Sequence, residues 1–340
     1  MFSIYNMNIL VFVKLYMHKN KSGGEAYLHH FLKRLQTERD VKIRVILPEC
    51  KEMKKIDFEG IEINETTETP TECLQYIDTC DLLLTQLDFA KQSLDYALKI
   101  SKPSMMLFHN SIDQYNKYIE DPKVIKIFNS NYVMNEYIQR DLIPNNHYLI
   151  YPYTDFPKLS KFKKKIDDRL YITLVNPSLN KGANIVVELA RKFKDKKFLI
   201  VKGGYYNHEQ KPFLDIFKTL PNVHIINNTT DIINDIYLKS KIVIQPSIYE
   251  TYGMVASEAS CFGIPVIINR TSKGLIENMG KMCLGGYDKN ILSYEKVIES
   301  LDIIENYHIW SNYYFDVAEE RYNEIEYQIN KFINDVFPKI

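Results

Sequence analysis

Of the 340 residues only five are cysteine (Cys50, Cys73, Cys80, Cys261 and Cys283), and no two form a Cys-x-x-Cys pair. An odd number without that spacing excludes a disulfide framework and a zinc site, and predicts reduced thiols in a cytosol-like compartment. Net charge is also missing. The 43 basic residues are balanced by 43 acidic ones, so no basic field calls for nucleic acid. No apolar run exceeds strand length, so no transmembrane helix is expected. Residues 8–13 lack the basic flank and small-residue cleavage site of a signal peptide. The expected location is therefore the cytoplasm, as a soluble protein. Two motifs are absent as well. There is no Gly-x-Gly-x-x-Gly, the turn of a classical dinucleotide site. There is no Asp-x-Asp to hold a metal on a leaving diphosphate. What remains is 45% apolar and 25% charged, a globular composition with length for two domains.

The most informative stretch is 241–268. Ile242 to Ile244 is a β-branched run that predicts a buried strand, stopped by Pro246 and Ser247. A helix is predicted from Gly253 to Phe262, ended by a left-handed Gly263 and by Pro265. Val266 to Ile268 then predicts the next strand. Such a unit directs the unpaired N–H groups and partial positive charge of a helix start to the ends of the strands, where a phosphate would fit. Glu250 lies in the loop before this helix and Glu258 inside it. Glu250 reads either as a cap or solvated side chain, or as a ligand group. Glu258 sits among Ala256, Ser257, Ala259 and Ser260, where a carboxylate needs a hydrogen-bonding partner. Ribose hydroxyls or a structural ion pair with a lysine would each serve.

The rest of the chain alternates strand and helix twice over. Asn8 to Val13 predicts the first strand, followed by Ser22-Gly23-Gly24-Glu25 and a helix from Ala26 to Leu35. The two glycines suit either a ligand or an ordinary turn. The stretch 49–70 reads as irregular surface. A strand from Met105 to Phe108 ends on His109, at the edge of a parallel sheet where ligands bind, although a lone histidine is often structural. Asn129-Ser130-Asn131 predicts a helix cap. Residues 155–169, with Pro157, Lys158, Lys161, Lys163, Lys164 and Lys165, read as a solvated connection rather than a membrane-surface patch. The second half restarts with a strand from Leu170 to Val175, then Asn176 and Lys181-Gly182 before a helix. Lys202 ends the following strand. Asp231 to Lys239 predicts a short helix, and Trp310 to Phe332 a long amphipathic one. The seven other histidines have no comparable setting.

The segment Tyr-Glu-Thr-Tyr-Gly-Met-Val-Ala-Ser-Glu-Ala, followed by Gly-Ile-Pro-Val-Ile, resembles the Glu-x7-Glu signature of family-4 retaining glycosyltransferases. Asn-Ser-Asn-Tyr followed by Tyr-Pro-x-x-Asp resembles the end of that family's acceptor domain. The resemblance implies the GT-B fold, an α/β architecture with two Rossmann-like parallel-sheet domains facing a central cleft. The implied division is 1–155 for the acceptor, 156–310 for the nucleotide sugar, and 311–340 for a final helix crossing back to the first domain. It implies transfer of a sugar from a nucleotide-diphosphate donor, a UDP- or GDP-sugar, to a glycan or other hydroxyl acceptor. No metal or other cofactor is expected. Glu258 would bind the ribose, and Glu250 the hydroxyls of the donor sugar. Backbone N–H groups of Thr251, Tyr252, Gly253 and Met254 would meet sugar and phosphate. Lys181 would stabilise the leaving diphosphate, His109 would orient sugar or diphosphate, and Gly23 and Gly24 would lie beside the pyrophosphate. The loop 227–230 would meet the base. Three positions depart from the family pattern. Glu25 directly follows the glycines, Thr251 replaces a glycine, and Asn176 replaces the arginine that pairs with the lysine, with Lys202 as a candidate substitute. A GT-B epimerase or hydrolase, or a non-catalytic sugar-nucleotide or glycan-binding module, remains the alternative.

Overall fold

The computed structural model describes residues 7–19, 22–163, 169–204 and 207–339. The chain divides into two compact units: residues up to Tyr153 together with those from Ile325 onward, and Thr154–Glu324.

The first unit is built on an eight-stranded sheet. Its strands are β1 Met7–Phe12, β2 Val41–Leu47, β3 Lys54–Phe58, β4 Ile61–Glu65, β5 Leu82–Gln86, β6 Ser104–Phe108, β7 Val124–Phe128 and β8 His147–Leu149, in the order β3-β4-β2-β1-β5-β6-β7-β8. All pairs are parallel except β3 with β4. Strands buried on both faces need continuous apolar runs, and β5, β6 and β7 are buried at every position. Lys126 of β7 is held there because its ammonium donates to the Asp121 carbonyl and, at 2.8 Å, to Asn145 Oδ1.

The hairpin β3–β4 corrects the reading of 49–70 as irregular. Ile56 faces Ile63 and Phe58 faces Ile61 across the turn Glu59-Gly60. The charged residues between them hid a period of two, the strand signal. The cap is Ser130, whose Oγ accepts from the Val133 N–H at 3.2 Å. The first helix runs over Gly23–Glu38, starting three residues earlier than predicted.

The second unit holds a fully parallel sheet of β9 Tyr171–Val175, β10 Lys197–Val201, β11 Val223–Ile226, β12 Ser240–Gln245, β13 Val266–Asn269 and β14 Gly285–Gly286, in the order β11-β10-β9-β12-β13-β14. The helix between β12 and β13 is Met254–Cys261, and Gly263 has the expected left-handed backbone at φ 64°. The segment before Lys239 is a π-helical turn, Ile233–Tyr237, rather than an α-helix.

The connection from 155 is not simply solvated. Asp155 caps a turn over Phe156–Leu159, and Phe156 and Leu159 are buried in the core of this unit. Phe156 packs on Phe315 and Tyr322, while the Lys163 ammonium lies 3.7 Å from the Phe315 ring centre. The apolar anchors outweigh the basic run between them. Lys164 and Lys165 lie outside the described residues.

One helix of 33 residues, Ile304–Val336, closes the chain. Tyr314 is fully buried in the second unit, where its hydroxyl donates to the Val266 carbonyl at 2.6 Å and accepts from the Leu284 N–H at 2.7 Å. Farther on, Phe332 packs on Phe31 and Tyr148 of the first unit. The expected segment 311–340 is therefore divided between the units after Glu324. No described helix is long and apolar enough to cross a membrane.

Candidate active site

In the second sheet the first strand, β9, lies between β10 and β12, so the winding reverses between β9 and β12. Loops leaving the carboxyl ends of such a pair diverge and leave a crevice, the usual ligand position in open α/β sheets. The loop after β9 carries Asn176 to Gly182, and that after β12 carries Pro246 to Gly253. The Ile248 N–H donates to the Asn180 carbonyl at 3.0 Å, tying the two loops together. Gly182, at φ 76°, touches Pro246 so closely that a Cβ there would collide with the Pro246 backbone. This close approach fixes Lys181 beside the second loop.

There the Lys181 ammonium lies 2.5 Å from Glu250 Oε1. The same oxygen accepts from Gln245 Nε2 at 2.8 Å and Ser247 Oγ at 3.0 Å. Three donors converge on one oxygen, and Glu250 Oε2 takes no hydrogen bond among the described residues. The Glu250 side chain is 11% exposed and that of Lys181 31%. A carboxylate so oriented presents one lone-pair-bearing oxygen to a hydroxyl-rich ligand, beside a cation able to meet an anion.

The helix Met254–Cys261 begins next to this pair, and no side chain caps its start. The Met254 and Val255 N–H groups take no acceptor among the described residues, whereas that of Ala256 is bonded to the Gly253 carbonyl at 3.0 Å. Two residues absent from the sequence-derived site shape this entry. Asn278 is fully buried, and its Nδ2 donates to the carbonyls of Tyr252 and Gly253 at 3.0 and 3.1 Å. Gly274 leaves no room for a side chain, because a Cβ there would strike the Glu250 carbonyl and the Thr251 backbone. Both lie on the 273–279 helix, too far along the chain for local spacing to reveal them.

Glu258 has no lysine partner among the described residues and is half-buried. Its Oε2 accepts a short hydrogen bond from the Tyr237 hydroxyl. Burial raises the Glu258 carboxyl to about 7, against a smaller lowering by that hydrogen bond. Burial also pushes the Tyr237 hydroxyl well above its ordinary value, with the Glu258 charge adding to the effect, so Tyr237 remains a donor.

Asn176 has a left-handed backbone at φ 61°, a conformation asparagine tolerates better than most residues. Its side chain packs against Gly203, and its Oδ1 is buried without a partner. The Lys202 ammonium turns toward the β11 edge, donating to Asn227 Oδ1 at 2.8 Å. It lines an open groove of about 550 Å³ with Gly203, Gly204, Lys211, Asn227 and Asn228.

The sequence-derived residues of the first unit gather at the carboxyl ends of β1, β5 and β6, at that sheet's own reversal. Gly23 and Gly24 open the 23–38 helix. A Cβ on Gly24 would lie 4.0 Å from His109 Cε1. His109 Nε2 lies 2.6 Å from Gln86 Oε1, and the Tyr27 ring meets the imidazole edge-on at 5.4 Å. Burial lowers the His109 imidazole to about 4, so the ring is neutral. Glu25 is buried in the first turn of the helix, its Oε2 unpartnered and its carboxyl raised by burial.

Two of the other histidines have defined polar partners. His29 bonds Tyr16 at 2.8 Å and Glu59 at 3.1 Å, and His18 bonds the buried Glu65 at 2.7 Å. Phe58, on the unexpected hairpin, packs against both rings. The described residues contain no His, Cys, Asp and Glu cluster able to hold a metal ion.

Residues 156–281 match the family model of glycosyl transferases group 1. The whole chain is similar to several solved structures. The glycosyltransferase from Rickettsia africae ESF-5 is 17% identical, with 97% of each chain covered and a TM-score of 0.74. Anabaena HepE in complex with UDP-glucose is 16% identical over 97% of this chain and 100% of that one, with a TM-score of 0.75. Sucrose-phosphate synthase from Thermosynechococcus elongatus is 13% identical over 98% and 100%, with a TM-score of 0.76. No curated protein sequence matches the chain. The two α/β units and their sheets are those of the GT-B fold.

Proposed function

We propose that this chain, whose residues 156–281 match the glycosyl transferases group 1 model, is a family-4 retaining glycosyltransferase that moves a sugar from a nucleotide diphosphate to a hydroxyl acceptor. The observation that carries this reading is the Lys181–Glu250 pair beside an uncapped helix start at the sheet reversal. Lys181 and the helix dipole take up the negative charge that grows on the leaving diphosphate, an electrostatic role that asks for no metal. Glu250, held through Oε1, offers Oε2 to hydroxyls of the donor sugar. Backbone N–H groups from Thr251 to Met254 meet sugar and phosphate, and Glu258 accepts from the ribose. Asn176 supplies a neutral side chain where a second cation would stand, so Lys181 carries more of the diphosphate charge. Lys202, turned toward Asn227, lies nearer the base-binding loop than a diphosphate clamp would. His109 keeps the role of orienting sugar or diphosphate, and Gly23 and Gly24 that of lying beside the pyrophosphate.

UDP-sugars are the first donors to test, since the similar Anabaena protein was solved with UDP-glucose. The enzyme is incubated with UDP- and GDP-sugars and a hydroxyl acceptor panel, and nucleotide release and product anomeric configuration are followed. Transfer with the donor's configuration kept supports the proposal. Epimerised donor without acceptor use, or binding without turnover, refutes it.

A further inference from the structure

We propose that Gln86 is a positioning residue that fixes the His109 proton on Nε2 and leaves Nδ1 as a hydrogen-bond acceptor for a substrate hydroxyl. The inference deepens the donor-binding reading of His109 and rests on it for the identity of the substrate.

Gln86 is the last residue of β5 and is 2% exposed. β5 runs parallel to β6 with Gln86 opposite Leu107, which places Gln86 beside the chain where it leaves β6 toward His109. The contact from Gln86 Oε1 to His109 Nε2, at 2.6 Å, is short for a neutral pair. An amide oxygen has no proton to give, so the imidazole supplies it from Nε2. The ring is neutral, so Nδ1 then carries only a lone pair. Nδ1 takes no hydrogen bond among the described residues, and His109 is half-buried.

The ring is held on its other sides. Tyr27 stands perpendicular to it at 89°, with its own hydroxyl tied to the Ile150 carbonyl at 2.7 Å. On the Cε1 side the neighbour is Gly24, where a Cβ would sit 4.0 Å from the ring. The imidazole therefore has a fixed plane and one open nitrogen. A lone pair at that nitrogen attracts an O–H group and repels a phosphate oxygen, which also brings only lone pairs. This resolves the two roles open to His109 in favour of a sugar hydroxyl.

The test uses the full chain labelled with 15N-histidine, with the His109 signals assigned through His109→Asn. Long-range proton–nitrogen correlation at pH 7 reports the tautomer without any donor present. The wild type is expected to show the Nε2–H form. Gln86→Leu is expected to show a mixture of both tautomers, and about a tenfold rise in donor KM with little change in kcat, the size of one lost hydrogen bond. Gln86→Glu keeps the acceptor and the shape. It should restore the Nε2–H form while making the ring easier to protonate, so that KM rises as pH falls. An Nδ1–H tautomer in the wild type, or an unchanged tautomer in Gln86→Leu, overturns the proposal. The tautomer readouts need no turnover, so their failure is distinct from failure of the transferase reading.

Discussion

The Tyr237 hydroxyl donates to Glu258 Oε2, joining the π-helical turn before β12 to the helix after it. Glu258 is thereby held by a neutral donor in a half-buried setting, and desolvation raises its carboxyl to about 7 from an ordinary 4.5. For an acid whose folded value lies above its unfolded one, the stabilisation is complete below the unfolded value and is lost as pH rises through the folded one. The empty protein should therefore lose stability between pH 4.5 and 7, by about 3 kcal/mol as an upper figure for this group. Glu258→Gln should remove that slope and raise Tm at pH 8, while weakening nucleotide binding. Thermal melts of both proteins across that range decide the matter. Identical pH slopes would contradict it.

Glu250 Oε1 is already saturated by Lys181, Gln245 and Ser247, so the two residues should differ in their kinetic effects. Glu250→Gln keeps the size but loses the carboxylate facing the sugar. Turnover should fall by about a hundredfold or more, with Tm nearly unchanged. Lys181→Met leaves Glu250 without its cation and the diphosphate without its counter-charge. It should raise donor KM as well as lower kcat. Steady-state kinetics with circular dichroism as a fold control separate the two patterns.

Gly274 offers a way to disturb Glu250 without altering any side chain of the site. In Gly274→Ala the new methyl must displace the 250–251 backbone, next to the Tyr252 and Gly253 carbonyls that Asn278 holds. A stability loss of about 1–3 kcal/mol is expected, as for overpacking, with a larger proportional loss of donor binding than of Tm. Denaturant unfolding alongside donor titration measures both. Normal donor affinity in a folded Gly274→Ala protein would remove the 273–279 helix from the account.

His109 titrates near 4 because burial disfavours its charged form. Above about pH 5.5 the ring is neutral, so no break assignable to His109 should appear in the kcat/KM profile between pH 6 and 9. A depressed histidine stabilises the fold above its unfolded value of 6.5, and that contribution is lost as pH falls through 4. A kinetic break near neutrality that vanishes in His109→Asn would contradict this.

The parallel sheets were legible because strands such as β6, β10 and β13 carry short buried apolar runs, and the glycine and proline after Cys261 announce the end of the helix before β13. The β3–β4 hairpin was not legible, since Lys54, Lys55, Asp57 and Glu62 mask its alternation. Of the candidate site, Glu250 and Lys181 could be singled out because neighbouring residues carry the pattern. Their mutual contact could not be, because it depends on the packing of Gly182 on Pro246. Gln86, Tyr237, Gly274 and Asn278 gave no local signal. Each acts across a sheet or between helices, on a partner 21 to 26 residues away in the hydrogen-bonded cases. Phe156 shows the converse error, in which composition hid an anchor inside a basic run.

The central claim is that the second unit's β9 and β12 loops bind a nucleotide-diphosphate sugar through Lys181 and the helix start at Met254. Calorimetric titration of the wild type and Lys181→Met with UDP, GDP, ADP and their sugars tests it most directly. The account predicts saturable wild-type binding to at least one of these donors, weakened about tenfold or more by the substitution. Binding of the same strength in Lys181→Met, or no binding of any donor to the folded wild type, would contradict it.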